Sequence, residues 1–105
     1  MRIQVELWMW LGKKLGGDFQ SPSEMRSIME IDVEEGTTVK KLFDQLANRY
    51  PPIAKEIFDR ENHGFHPNLT VMVTFKGQVL SFSGVNDSTL KDGYKIMVLP
   101  LYAGG

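Results

Sequence analysis

Apolar and polar residues alternate along residues 2–11. Ile3, Val5, Leu7, Met9 and Leu11 share one side, and Gln4, Glu6, Trp8 and Trp10 the other. That period of two is the signature of a strand with one face in the core. Residues 12–22, rich in glycine and lysine, show no period and read as a connection. Alternation resumes over 25–33 with Met29, Ile31 and Val33 as the inward set, so the first two strands form an antiparallel hairpin around a long loop. Glu35-Gly36-Thr37 turns the chain, and Thr37 or Thr38 is suited to cap a helix. Val39, Leu42, Phe43, Leu46, Ala47 and Tyr50 then follow the i, i+3, i+4, i+7 spacing of an amphipathic helix, with Lys40, Lys41, Asp44, Gln45 and Asn48 opposite. Pro51-Pro52 ends it, because proline lacks an N–H and restricts the residue before it.

Ile53, Ala54, Ile57 and Phe58 suggest a short second helical turn, followed by a polar loop over 59–67. Residues 69–75 read as a strand with Leu69, Val71, Val73 and Phe75 on one face. Lys76-Gly77 turns it into Gln78-Val79-Leu80. After a loop at 83–87, Leu90-Lys91-Asp92-Gly93 signals a tight turn, and residues 94–99 form the last strand. Pro100 cannot donate to a ladder, so the chain is expected to leave the sheet there. The order β-β-α-β-β-β, with one long helix to cover one sheet face, predicts a two-layer α+β domain spanning 1–105 with a flexible tail at 100–105.

The parity of these strands assigns the other face. With Ile3, Val5, Leu7 and Met9 toward the helix, Trp8 and Trp10 point to the uncovered side. There Met72, Met97 and Leu99 accompany Thr70, Thr74 and Lys95. Two tryptophans with Met and Leu make an apolar patch of the kind that contacts a partner protein.

Composition removes several kinds of chemistry. The chain has no cysteine, which excludes disulfides, thiolate nucleophiles, thiolate metal sites and iron–sulfur clusters. Net charge is -1, from 12 basic and 13 acidic residues, so nothing steers it to nucleic acid or anionic lipid. No apolar run reaches the roughly 20 residues of a membrane span, and the alternating N-terminus is no secretion signal. A cytoplasmic location is expected. His63 and His66, three apart near Glu61, read as solvated loop residues, and no metal site is assigned. Gly12-Lys13-Lys14-Leu15-Gly16-Gly17 lacks the order of a phosphate loop.

The remaining feature is the ending Pro100-Leu101-Tyr102-Ala103-Gly104-Gly105. Two residues without Cβ make the thinnest peptide available, able to thread a narrow tunnel and carry a carboxylate into another protein's active site. A frayed terminus is the plain alternative.

The element order and this diglycine together resemble the ubiquitin-like β-grasp fold, and in particular the MoaD/ThiS family of sulfur carriers. The likeness rests on the helix at 38–50, the strand pair at 71–80, and the run Leu90-Lys91-Asp92-Gly93 through an apolar strand and Pro100 to Gly104-Gly105. Tyr94 replaces the acidic residue usual after Asp-Gly, Leu101 replaces a second proline, and the loops at 12–24 and 59–68 are long for the family. The length is closer to the Urm-type tRNA-thiolation carriers and the larger archaeal-type members.

The resemblance implies a function in which this chain is the substrate. An E1-like adenylyltransferase (MoeB/ThiF-like) would use ATP and Mg²⁺ to adenylate the Gly105 carboxylate. A sulfide or persulfide donor, such as a cysteine desulfurase, would then displace AMP and leave a thiocarboxylate. As the small subunit of molybdopterin synthase, the chain would pass that sulfur to the pterin precursor within the large (MoaE-like) subunit. Gly105 would carry the acyl group, Gly104 would give clearance, Leu101 and Tyr102 would anchor the tail by apolar contact and Pro100 would set its exit direction, with Ala103 and Leu99 among the tail and partner-binding residues. Trp8, Trp10, Met72 and Met97 would dock partners. No bound cofactor and no catalytic side chain of its own is expected. The alternatives are a Urm-type carrier serving tRNA thiolation or lysine conjugation, and a ubiquitin-like interaction module in which the diglycine is incidental.

Overall fold

A computed structural model describes residues 1–9, 19–23, 25–62, 64–80 and 88–100. In chain order the elements are β1 (Arg2–Trp8), β2 (Gln20–Ser23), β3 (Arg26–Asp32), α1 (Val39–Arg49), α2 (Pro51–Glu56), β4 (Phe58–Asp59), β5 (Gly64–Phe65), β6 (Leu69–Phe75), β7 (Gln78–Leu80) and β8 (Lys95–Pro100). Among the described residues the strands form a six-stranded sheet in the order β2-β3-β1-β8-β6-β7 and a separate β4-β5 pair. β1 and β8 run parallel at the centre, and the other neighbours are antiparallel. This is the mixed sheet with a covering helix expected of a β-grasp.

α1 forms as its sequence requires. The Thr38 side chain accepts a hydrogen bond from the Lys41 backbone N–H at 3.2 Å, an N-cap. The buried residues are Val39, Leu42, Phe43, Leu46 and Ala47. They meet Ile3, Val5 and Leu7 of β1, Met29 of β3, Val73 of β6 and Ile96 and Val98 of β8 in one core. Tyr50 closes α1, its N–H donating to the Leu46 carbonyl at 2.8 Å. Pro51 and Pro52 then occupy the first positions of α2, where a missing N–H costs nothing. The proline pair thus ends one helix and begins the next.

Four expectations change. β1 stops at Trp8, with a bend at Met9, short of the strand expected to residue 11. Residues 20–23, read as part of a connection, form the edge strand β2, and Pro22 sits there as an edge position allows. Phe19 beside it is buried and meets the Tyr50 ring edge-on at 5.3 Å. The polar loop at 59–67 contains the short β4-β5 pair, which carries Phe65 edge-on against Phe43 at 4.8 Å and Phe58 at 5.2 Å. At its turn, the Asp59 carboxylate accepts from the Asn62 side-chain amide and the Glu61 backbone N–H. The bond from Asn62 foremost holds that carboxyl below its ordinary value.

The fourth concerns the end of the sheet. β8 keeps Pro100 within the strand, opposite Leu69. Its ladder with β1 has already ended at the Leu7–Val98 pair, so a ladder remains on only one edge of β8, a setting in which proline is tolerated. The expected departure at Pro100 is therefore not seen, and residues 101–105 lie outside the described residues.

Candidate functional site

The uncovered face of the sheet is built from strand parity. In β1 the residues between the core positions are Gln4, Glu6 and Trp8. Cross-strand partners on the same side are Glu30, Ile28 and Arg26 of β3. Beyond β1, Met97 stands beside Glu6, Met72 faces Met97 and Thr70 faces Leu99. One band therefore runs Arg26, Trp8, Leu99, Thr70, and the next runs Ile28, Glu6, Met97, Met72. Trp8, Met72, Met97 and Leu99, all singled out by sequence, lie together here, each half-buried, while Pro100, opposite Leu69, takes the helix-side parity of Ile96 and Val98. Val79 of β7, at 58% exposure, extends the apolar surface at the edge. Trp10 and the tail residues Leu101, Tyr102, Ala103, Gly104 and Gly105 lie outside the described residues, as does His63.

Charge interrupts this patch in a way the pattern does not reveal. Glu6 is fully buried, with 0% exposure, on the side of the sheet away from the helix. A lone buried carboxylate would be prohibitively unstable, and two cations answer it. The Arg26 Nε donates to Glu6 Oε1, and the Lys95 Nζ lies 2.7 Å from Oε2. The lysine is close enough for a full ion pair but misdirected for a hydrogen bond, which leaves Oε2 unbonded in that sense. Burial pushes the Glu6 carboxyl up, yet the two cations outweigh it and hold the group below its ordinary 4.5. The Arg26 guanidinium also stacks over the Trp8 ring, 5.2 Å from its centroid. The indole Nε1 is buried with no hydrogen-bond partner among the described residues.

At the opposite end of β1 a separate group forms. The Arg2 side chain bridges Glu30 at 3.3 Å and Asp32 at 3.1 Å, all three well exposed. The Arg2 backbone N–H donates to the Asp92 carboxylate at 2.7 Å, and the Gly93 N–H donates to the Arg2 carbonyl. The Asp92-Gly93 turn thus pins the start of β8 beside the start of β1. Gly93 has φ +89°, the left-handed region that favours glycine. Both strands are set to run in parallel, and Leu99 and Pro100 are delivered past Trp8. Among the described residues this face combines apolar side chains, the Thr70 and Thr74 hydroxyls and the Arg26–Glu6–Lys95 charge group. It offers a surface and an exit for the chain beside it.

The ThiS family model matches residues 19–105, most of the chain and through the diglycine. The chain belongs to the ThiS family. It is thereby a member of the ubiquitin-like sulfur carriers that its ending resembles. SAMP1 from Haloferax volcanii is a structural neighbour with TM-score 0.62 and 16% identity, covering 100% of both chains. A putative molybdopterin converting factor subunit 1 from Pyrococcus furiosus superposes with TM-score 0.61 and 22% identity, covering 97% of this chain and 99% of that one. At such identities these structures speak for the β-grasp fold. No curated protein sequence matches the chain. Among the described residues no helix is long and apolar enough to cross a membrane.

Proposed function

We propose that this chain is a sulfur carrier of molybdopterin biosynthesis, acting through a thiocarboxylate on Gly105. The observation that carries the reading is the family match running through Gly104-Gly105, attached to a strand that passes the uncovered face. The Gly105 carboxylate attacks the α-phosphate of ATP on an E1-like adenylyltransferase, releasing pyrophosphate. Sulfide then adds to the acyl carbon and AMP leaves as the C–O bond breaks; where the donor is the persulfide of a cysteine desulfurase, the acyl disulfide that forms is reduced by a thiol to the thiocarboxylate. ATP and Mg²⁺ belong to that partner, and this chain supplies the acyl group and the surface that positions it. A MoaE-like large subunit then takes the thiocarboxylate, and Trp8, Met72, Met97 and Leu99 serve as docking residues for both partners. Likeness to a putative molybdopterin converting factor subunit supports this choice among carriers.

A second reading has its own support. A Haloferax volcanii structure described as small archaeal modifier protein 1 matches with TM-score 0.62 and 15% identity over 96% of this chain. On that reading the activated Gly105 is passed to a lysine amine or to a tRNA-thiolation enzyme.

Intact mass after incubation with the E1-like enzyme, ATP, Mg²⁺ and sulfide tests both. Exchange of one oxygen for sulfur, localised to Gly105, is the expected result. An unshifted mass, with the enzyme active on another carrier, removes the carrier reading. A shifted chain that then forms adducts with lysines, and gives no sulfur to the pterin precursor in the presence of the large subunit, selects the second.

A further inference from the structure

We propose that Arg26, Glu6 and Lys95 form the charge-reading part of the docking face, and that they fit a partner protein with a carboxylate set in an apolar surface. This rests on the carrier reading above. It goes beyond it by stating what the partner must present.

The asymmetry of burial carries the argument. Glu6 is 0% exposed, while the side chains of Arg26 and Lys95 keep 34% and 31% of their surface in solvent. The carboxylate spends its charge inward, and the two cations share it from above. A visitor to this face therefore meets two positive groups over one hidden negative one, a local surplus of one positive charge. The surplus lies among apolar neighbours: Trp8 under the Arg26 guanidinium, Met97 beside Glu6, and Leu99 in the band of Trp8.

Position along the strands matters as much. Arg26 stands opposite Trp8, at the end of the face from which β8 runs out through Pro100. Arg2, at the other end, is outnumbered by Glu30 and Asp32. Arg26 thus puts positive charge at the exit end, while Lys95 stands level with Gln4 and Glu30 and reaches back to Glu6. A partner that receives the chain end must put its carboxylate near the mouth that admits the tail. A polyanion such as RNA is poorly served, since Glu30 and Asp32 share the face and would repel it. The buried carboxylate also fixes both cations before contact. Less side-chain freedom is then lost on docking.

The test titrates the full chain against the E1-like adenylating enzyme of the same genome, at low, intermediate and high salt. Arg26→Gln and Lys95→Gln are each expected to weaken binding roughly fivefold or more at low salt, with a shallower salt dependence. Lys55→Gln removes a charge from α2 and should bind as the wild type. The double variant Glu6→Met/Lys95→Met removes one negative and one positive group together and fills the space with apolar volume, so the surplus of one positive charge stays with Arg26. It should bind closer to the wild type than either single variant, with circular dichroism unchanged. Wild-type affinity and salt slope in both single variants would overturn the proposal, and a Gly105 deletion that still blocks adenylation would show that the carrier reading survives it. Failure of the wild-type chain to bind the enzyme overturns it as well, as does salt-sensitive self-association through the same residues, which would assign the face to a second copy. A Gly105 deletion adenylated normally would instead defeat the carrier reading.

Discussion

Glu6 sits where water does not reach, on the face of the sheet that no helix covers. Its folded-state acidity lies below the ordinary 4.5 because Arg26 and Lys95 together outweigh the penalty of burial. A carboxyl depressed in the folded state stabilises the fold above its unfolded pKa, and that contribution fades as pH falls through the folded value. Both cations can rehydrate if their partner is lost, so removal of Glu6 costs less than removal of one member of a fully enclosed pair. Glu6→Gln should destabilise the chain by about 1–3 kcal/mol near neutral pH. The gap from the wild type should shrink below about pH 4.5. Urea denaturation of both proteins across pH 3 to 8 (roughly the span over which carboxylates titrate) checks this, and a gap independent of pH would mean the charge contributes nothing. Nothing in the sequence announces this residue. An alternating strand reads Glu6 as one of its solvent positions, and only the placement of Arg26 and Lys95 on two different neighbouring strands reveals the burial.

The elements themselves were legible where the pattern was local. The Val39 to Tyr50 periodicity locates α1, the proline pair marks its end, and the parity of β1, β6 and β8 assigns the right residues to each face. What local pattern could not show depends on distant partners. β2 is an edge strand with a proline and no period, held by pairing to β3. Phe19 and Phe65 lie in stretches that look polar, and each finds its place only against Tyr50, or against Phe43 and Phe58. The start of α1 combines both kinds of information. Thr38 caps the helix, and its flanks are tied to the far segment: the Val39 N–H donates to Ser88 O at 3.1 Å and the Leu90 N–H to Thr37 O at 2.8 Å. Thr38→Ala should cost about 1 kcal/mol, and Thr38→Ser much less because its hydroxyl still accepts. Thermal melting that ranked the two variants equally would show that the backbone ties alone hold this end.

At the scale of the molecule, the central parallel pair is what converts a fold into a carrier. β1 brings Trp8 and β8 brings Leu99 to the same end of the face, so on the proposed function the docking surface lies beside the strand that leads to Gly105. Adjacent parts need not be coupled parts, and kinetics can separate them. Trp8→Ala removes the large indole on which Arg26 stacks. It should weaken docking on the adenylating enzyme by about 2 kcal/mol or more, the usual cost of losing a central tryptophan. Once saturating enzyme overcomes that loss, the rate of adenylation should return toward the wild-type value, because Gly105 is still present to be activated. Deleting Gly105 should do the reverse. Docking through the face should persist, while ATP–pyrophosphate exchange disappears at any concentration and the melting temperature stays unchanged. If Trp8→Ala instead lowered the saturated rate as severely as the deletion, face and tail would have to act as one device. The indole would then belong to the positioning of the acyl group as well as to docking.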